Sequence, residues 1–295
     1  MQKTVRIGSR ESLLAVRQAE IIRDQILRLC PEMEVEIVTM KTTGDKILDK
    51  SLAKIGGKGL FVKELDRALM DGRIDIAVHS LKDVPMEENP DFPILACGRR
   101  EDPRDVLLLK PGLHKLPEDG VVGTSSSRRM IQMKRLFPGC SFRGIRGNVQ
   151  TRLRKLETEG YDGTLLAAAG LNRLDMAHVI GKYFSVDEII PAAGQGILAV
   201  QGRKDARWEW MDQINDRDAC AAAEAERQFI RAVGGDCTSP CAAHAQIHGS
   251  ELKLTGLYYR ENSEDYATDT IISEISKARQ AGEELAQKMM SRAAC

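Results

Sequence analysis

Apolar residues recur along this chain with two spacings, and the alternation between them points to a fold class. Ala15, Ala19, Ile22, Ile26 and Leu29 step by four, three, four and three, which is one face of a helix. Before them Val5-Arg6-Ile7 reads as a short strand. After them residues 35–40 read as a second, with Val35 and Ile37 facing away from Glu36. A helical pattern carrying Leu60, Leu65, Ala68 and Leu69 follows, then a buried strand at 74–78 opened by Asp71-Gly72, then a strand at Ile94-Leu95-Ala96. The pattern restarts with strands at 105–109 and 121–123 and a helix at 130–136. A short strand and turn at 141–148 lead to a helix holding Val149, Leu153 and Leu156, which Asn148 can cap. Residues 164–169 read as a buried strand or its continuation. Strands that alternate with helices in this way predict an α/β protein.

Two stretches break the pattern and look like crossings: 97–103, and the small-residue run 191–196, after which 197–200 reads as a strand. Two crossings between two α/β units predict a chain that goes out and returns, giving a hinged cleft. The expected domains are 1–98 with 196–216, and 102–191. Asp218 is the expected cap of a helix at 219–233. The remainder reads β-β-β-α at 242–248, 252–258, 268–275 and 277–290, a small α+β domain over 219–295.

Composition narrows the function class. Lys+Arg and Asp+Glu balance at 43 each, so no global field draws the protein to nucleic acid or a membrane surface. Aromatic residues make up 4% and do not interleave with the basic positions, which argues against a single-strand nucleic-acid binder. The sequence has no secretory-type leader pattern and no apolar run of bilayer length, so a cytoplasmic protein without membrane contact is expected. Its 7 cysteines are odd in number and scattered, which favours reduced thiols over a disulfide framework.

Candidate chemistry gathers at predicted strand ends. The run 74–78 leads into Ser80-Leu81-Lys82-Asp83-Val84-Pro85, and Pro85 takes the chain out of the sheet. A lysine and an aspartate at the mouth of a buried strand are placed where α/β proteins do chemistry. On this segment alone a solvated turn with an incidental ion pair reads equally well. Arg10, between a strand and a helix, lies beside free backbone N–H groups, a ready anion site, although on this segment alone a surface arginine is the better reading. Thr124-Ser125-Ser126-Ser127 supplies hydroxyls to cap a helix or hold an anion. Arg128 and Arg129 then oppose the helix dipole in its first turn, so something negative is expected there. Arg146 and Arg152 complete a set of cations at the strand ends of two α/β units, where such turns converge on one crevice. Guanidinium forks suit a ligand carrying several carboxylates.

Three patterns mislead. Cys237, Cys241, His244 and His248 look like metal ligands, but the histidines lie in a strand pattern, about 13 Å apart at ~3.3 Å per residue. A zinc ion holds its ligands at about 2.0–2.3 Å, so no metal is expected. Lys54-Ile55-Gly56-Gly57-Lys58-Gly59 lacks the phosphate-loop pattern, and Gly194-Gln195-Gly196 lacks the third glycine of a dinucleotide site.

Long motifs in one order make the chain resemble the porphobilinogen deaminase (hydroxymethylbilane synthase) family from end to end. They include Gly8-Ser9-Arg10-Glu11-Ser12, Thr43-Gly44-Asp45, the stretches 54–64, 75–85 and 100–105, and Gly123-Thr124-Ser125-Ser126. Arg146-Gly147-Asn148, Ala168-Ala169-Gly170-Leu171 and Gly194-Gln195-Gly196 continue the series. The resemblance implies two domains like the lobes of a periplasmic binding protein, with a third carrying a cysteine loop. It implies a dipyrromethane cofactor held by a thioether to Cys237, onto which four porphobilinogen units are added with loss of ammonia before hydrolytic release of hydroxymethylbilane. Asp83 matches the catalytic carboxylate. Lys82, Ser126, Arg128, Arg129 and Asp45 match cofactor-binding positions. Arg10, Ser12, Lys58, Ser80, Thr124, Ser125, Arg146 and Arg152 match substrate-binding positions. A monomer is expected. One region departs: the family reads Gly-Gly-Cys-x-Val-Pro where this chain has Gly235-Asp236-Cys237-Thr238-Ser239-Pro240, and Cys241 is a minor alternative attachment point. A two-lobed binding protein for a small polycarboxylate, without catalysis, is the competing function.

Overall fold

The computed structural model describes residues 4–42, 62–236, 239–259 and 266–294. Its first half runs β1 (Thr4–Arg10), α1 (Leu13–Leu29), β2 (Glu34–Met40), α2 (Lys63–Met70), β3 (Ile76–Ser80), a one-turn 3-10 helix at Leu81–Asp83, and β4 (Ile94–Cys97). There follow β5 (Asp105–Leu109), β6 (Val121–Gly123), α3 (Ser127–Leu136), β7 (Ser141–Arg143), α4 (Val149–Thr158), β8 (Gly163–Ala167), α5 (Ala168–Arg173) and the short β9 (Lys182–Tyr183). The chain ends with β10 (Leu198–Gly202), α6 (Met211–Ile214), α7 (Arg217–Ala232), β11 (Ala242–His248), β12 (Glu251–Tyr259), β13 (Tyr266–Glu274) and α8 (Ala278–Ala294).

These elements form two compact units, 1–101 with 197–220 and 102–196 with 221–295. In the first, a five-stranded sheet has the order β2-β1-β3-β10-β4. β1 is parallel to β2 and β3, and β10 runs antiparallel to β3 and β4. The second unit repeats the plan as β7-β6-β8-β5-β9, with β6 parallel to β7 and β8 and with β5 antiparallel to β8 and β9. The antiparallel strand in each sheet is the first one laid down after the chain enters from the other unit. The expected mixed α/β class, with sheets linked by out-and-return crossings, is therefore what the chain forms.

The opening of strand β3, Ile76-Ala77-Val78, is apolar because both of its faces are covered. Ile76 and Val78 pack with Ile22 and Ile26 of α1 on one side, while Ala77 packs with Leu65 and Leu69 of α2 on the other. In the second unit, Val106 and Leu108 of β5 face one core and Leu107 faces another. A three-stranded antiparallel sheet, β11-β12-β13, follows in the same unit, with α8 packed on it.

Three expectations need correction. Leu29 ends α1 37% exposed, while the polar Gln18 takes a buried place on that helix. Ala168 and Ala169 do not extend a strand; they open α5, since β8 ends at Ala167. Asp216, not Asp218, caps α7, its Oδ1 accepting from the Ala219 N–H at 2.8 Å. The other end of α7 closes on Gly234, whose φ of 70° is the left-handed geometry that suits glycine.

Helices α7 and α8 cross closely because α8 presents a glycine. A Cβ built on Gly282 would stand 2.5 Å from the Ala225 carbonyl oxygen and 2.9 Å from the Phe229 nitrogen, both backbone atoms of α7. Gly282→Ala should therefore cost about 1–3 kcal/mol of stability through forced separation of the helices. Urea unfolding followed by circular dichroism reads this as a lowered midpoint with an unchanged slope.

Candidate functional site

The first unit's candidates sit where parallel strands end. Arg10 is the last residue of β1 and Ser80 the last of β3. Ser12 caps α1, its side chain accepting from the Ala15 N–H. Beyond β3 the 3-10 turn puts Leu81 into the core, leaves Lys82 half-buried and stands Asp83 exposed. The turn is fixed by the Val84 N–H donating to the Leu81 carbonyl and the Leu81 N–H donating to Ile197 O. Gln18 explains its own burial: its Nε2 donates to Ser80 Oγ at 2.9 Å.

Behind Asp83 lies a buried polar chain that the sequence reading did not single out. His79 Nε2 is 2.9 Å from Gln201 Oε1. Gln201 Nε2 gives its hydrogens to Asp66 Oδ1 at 3.0 Å and to the Phe92 carbonyl at 2.9 Å, so its oxygen must accept. The His79 proton is thus on Nε2. Burial lowers His79 to about 4, outweighing the hydrogen bond to Gln201 and the nearby Asp83, so the ring is neutral at physiological pH. Asp66, which burial pushes up, ends the chain.

In the second unit the sequence-predicted hydroxyls and arginines gather at the start of α3. Ser126 caps the helix by accepting from the Arg129 N–H. Thr124 Oγ1 accepts from the Ser126 N–H at 3.2 Å. Ser125 Oγ donates to the Ile145 carbonyl at 2.9 Å, so its hydrogen is committed to the protein. Ser126 and Thr124, which accept, each keep an O–H to donate. Asn148 caps α4 as expected, and Arg152 Nε donates to the Gly147 carbonyl at 2.9 Å, which holds the Arg146 turn against that helix.

Arg128 and Arg129 are 5% and 6% exposed and both bind Asp105, which is fully buried. Arg128 Nη1 donates to Asp105 Oδ2 and to the Ile190 carbonyl, each at 2.7 Å. Arg129 donates to Asp105 Oδ1 through Nε at 3.1 Å and Nη2 at 2.7 Å, and through Nη1 to the Leu165 carbonyl at 2.9 Å. Gln195 Nε2 adds a third donor to Oδ1 at 3.0 Å. The negative group expected at the start of this helix is thus the protein's own carboxylate. Burial pushes Asp105 up, but the two guanidiniums outweigh it and hold the group far below the ordinary carboxylate range. The sequence signal for Asp105 was present but slight: an acid directly preceding the apolar run 106–109.

Asp45, Lys58 and Cys237 lie outside the described residues. Next to Cys237, Asp236 Oδ1 accepts from both the N–H and the Oγ of Ser239 at 2.9 Å, while the Asp236 N–H donates to Ser239 Oγ at 2.9 Å. His244 is buried on β11, 3.5 Å from the Glu226 carboxylate, and His248 at the end of that strand is exposed.

Two outcomes follow for stability. Asp105→Asn should lose about 3–5 kcal/mol, because it leaves two buried guanidiniums without their counter-charge; denaturant unfolding measures this. His79, held in the folded state below its unfolded value, leaves stability intact above about pH 6.5 and withdraws up to ~3 kcal/mol as pH falls towards 4. Unfolding free energies for His79→Gln and the parent should converge in slope above that window and differ within it.

Comparison with known proteins identifies the family. Residues 5–209 match the family described as "Porphobilinogen deaminase, dipyromethane cofactor binding domain", and 220–291 match "Porphobilinogen deaminase, C-terminal domain". The porphobilinogen deaminase of Acetivibrio thermocellus is 51% identical over 286 residues, covering 97% of this chain and 98% of that one. Those of Ruminiclostridium josui and Ruminiclostridium cellulolyticum are 48% and 47% identical, each over 98% of both chains. Among solved structures, the methionine binding protein MetQ is 12% identical over 72% of this chain and 89% of that one at a TM-score of 0.45, too loose a likeness to carry an argument. Matched across both regions and nearly its whole length, the chain belongs to the porphobilinogen deaminase family of enzymes.

Proposed function

We propose that this chain joins four porphobilinogen units head to tail onto a dipyrromethane primer attached through a thioether to Cys237, and then releases hydroxymethylbilane by hydrolysis. The observation that carries the reading is the Leu81–Asp83 turn. It exposes a carboxylate at the end of a buried parallel strand, beside a lysine, with the ring of a neutral His79 fixed behind it. Loss of ammonia from porphobilinogen leaves a cation, and a carboxylate held in place there stabilises positive charge and accepts protons. Asp83 takes that role.

Dipyrromethane, when bound, supplies the pyrrole carbon on which the chain grows. The residues at the start of α3 fit its carboxylates. Two guanidinium charges against the one carboxylate of Asp105 leave the cluster net positive, and Ser126 retains a hydroxyl hydrogen to donate. Arg128, Arg129, Ser126 and Lys82 are assigned to the cofactor, as is Asp45. Arg10, Ser12, Ser80, Thr124, Arg146, Arg152 and Lys58 are assigned to the carboxylates of the incoming substrate. Ser125 shares that assignment but acts through Ile145, since its hydrogen is given to that carbonyl. The same reading has the enzyme working as a monomer in the cytoplasm, away from membranes and nucleic acid. Its balanced charge agrees with this, and no described helix is long and apolar enough to cross a membrane.

Intact mass spectrometry tests the attachment: the purified protein should carry the mass of two pyrrole rings with their side chains, and Cys237→Ser should lack it. Retention of the adduct on that variant would move the attachment to another residue. Asp83→Asn should keep the adduct while turnover falls by about 100-fold or more. A variant of near-parental rate would remove Asp83 from the chemistry. Arg146→Ala should accumulate enzyme carrying partial chains, visible as discrete added masses.

A further inference from the structure

The chemistry proposed above uses one thiol, yet two others meet elsewhere. Cys97 ends β4 and Cys220 lies in the first turns of α7, and one side-chain oxygen ties them together. Asn215 Oδ1 accepts from the Cys97 N–H at 2.8 Å and from Cys220 Sγ at 2.8 Å. The Asp216 N–H donates back to the Cys97 carbonyl at 2.8 Å, and the Cys220 N–H donates to the Asp216 carbonyl at 3.0 Å. These bonds dock the cap of α7 onto the end of β4. They bring the Cys97 side chain within hydrogen-bonding reach of the Cys220 sulfur.

The two thiols differ in the ways a redox pair requires. Cys97 is 6% exposed, whereas Cys220 is half-buried and open to a small reagent. The Cys97 side chain, hydrogen-bonded to the Cys220 sulfur, helps bring that thiol down to about 7, against both burial and the charge of Asp216. Burial pushes the other shifted thiols, Cys30, Cys140 and Cys241, the opposite way.

We propose that Cys97 and Cys220 form a redox-active dithiol, separate from the cofactor thiol, that closes to a disulfide by exchange with a low-molecular-weight disulfide. The Cys220 thiolate attacks one sulfur of the reagent, whose S–S bond breaks and releases one thiol, leaving a mixed disulfide on Cys220. Cys97 then attacks the Cys220 sulfur and displaces the second thiol. Two protein thiols are oxidised, one reagent disulfide is reduced to two thiols, and the two protons leave with them. The new bond would tie the strand end just before the crossing at 101/102 to the residue just before the crossing at 220/221. It would thereby restrain two of the chain segments that leave the first unit.

Holoenzyme exposed to glutathione disulfide, then alkylated under denaturing conditions, gives the test. The expected result is the loss of two alkylatable thiols and a non-reduced peptide pair joining residues 97 and 220. The rate of exchange should rise most steeply near pH 7. Cys97→Ser should stop at the first step and carry glutathione on Cys220, and Cys220→Ser should give neither product. Recovery of both thiols fully alkylated from the native protein, or a peptide pair joining other cysteines, would overturn the proposal. The wild-type peptide map decides the matter even where a variant fails to fold.

Discussion

Two arginines buried side by side at the start of a helix are a liability unless the fold supplies a counter-charge in the same place. Asp105 supplies it, and much of the second unit is arranged to let it. An unpaired buried guanidinium is costly enough that the alternative would be exposure of the helix start. Instead, the carboxylate takes donors from Arg128, Arg129 and Gln195, and the carbonyls of Leu165 and Ile190 take guanidinium hydrogens. The partners come from β5, α3, β8 and the 190–195 run. Asp105 opens the strand after one chain crossing, and Gln195 lies just before another, so the cluster fixes where the chain enters and leaves. The arginines are positioned before any ligand arrives, which spares a carboxylate ligand the entropy of ordering them.

The first unit places its carboxylates at the two ends of one stretch. Asp75, just before β3, is 2% exposed and accepts from the Arg6 N–H, Nε and Nη2 and from Arg203. Asp83, just after β3, is exposed on its turn. The residue type is the same, yet one is spent on holding the sheet together and the other is left available. The neutral His79 between them follows from the same logic. A protonated ring would need a buried counter-charge, and the chain through Gln201 to Asp66 offers only an amide oxygen.

Elements whose apolar period is unambiguous were legible without coordinates: α1, β5, β6, α4 and the β-β-β-α ending. Two of the departures share a cause, since each depended on a partner distant in sequence. Residues 168–169 are apolar enough to continue a strand, but the chain turns into α5 once the pairing with β5 ends at Ala167. The burial of Gln18 has no local signal because its partner, Ser80, lies 62 positions away. The site divides in the same manner. Local motifs marked the hydroxyls, arginines and Asp83, while Asp105, Gln195, Gln201 and His79 became visible only through contacts across the sheet. The helix dipole called for something negative beside Arg128 and Arg129, and the carboxylate that stands there is Asp105, which no single segment of sequence places next to them.

Asp236 and Ser239, on either side of positions 237 and 238, show the same kind of pairing. Asp236 and Ser239 are the two positions at which the sequence reading expected glycine and valine from the family resemblance, and they bind each other. Neither substitution is neutral alone. A carboxylate next to a thiol disfavours the thiolate, and a serine in place of valine gives up apolar burial. Together, the serine N–H and hydroxyl draw on the carboxylate's charge, and the reciprocal bonds close the turn that glycine would leave conformationally free. The pair is a reciprocal polar clasp between positions 236 and 239. On this argument, what the loop must preserve is the restraint on the turn, and the residues that impose it can be exchanged as a matched set.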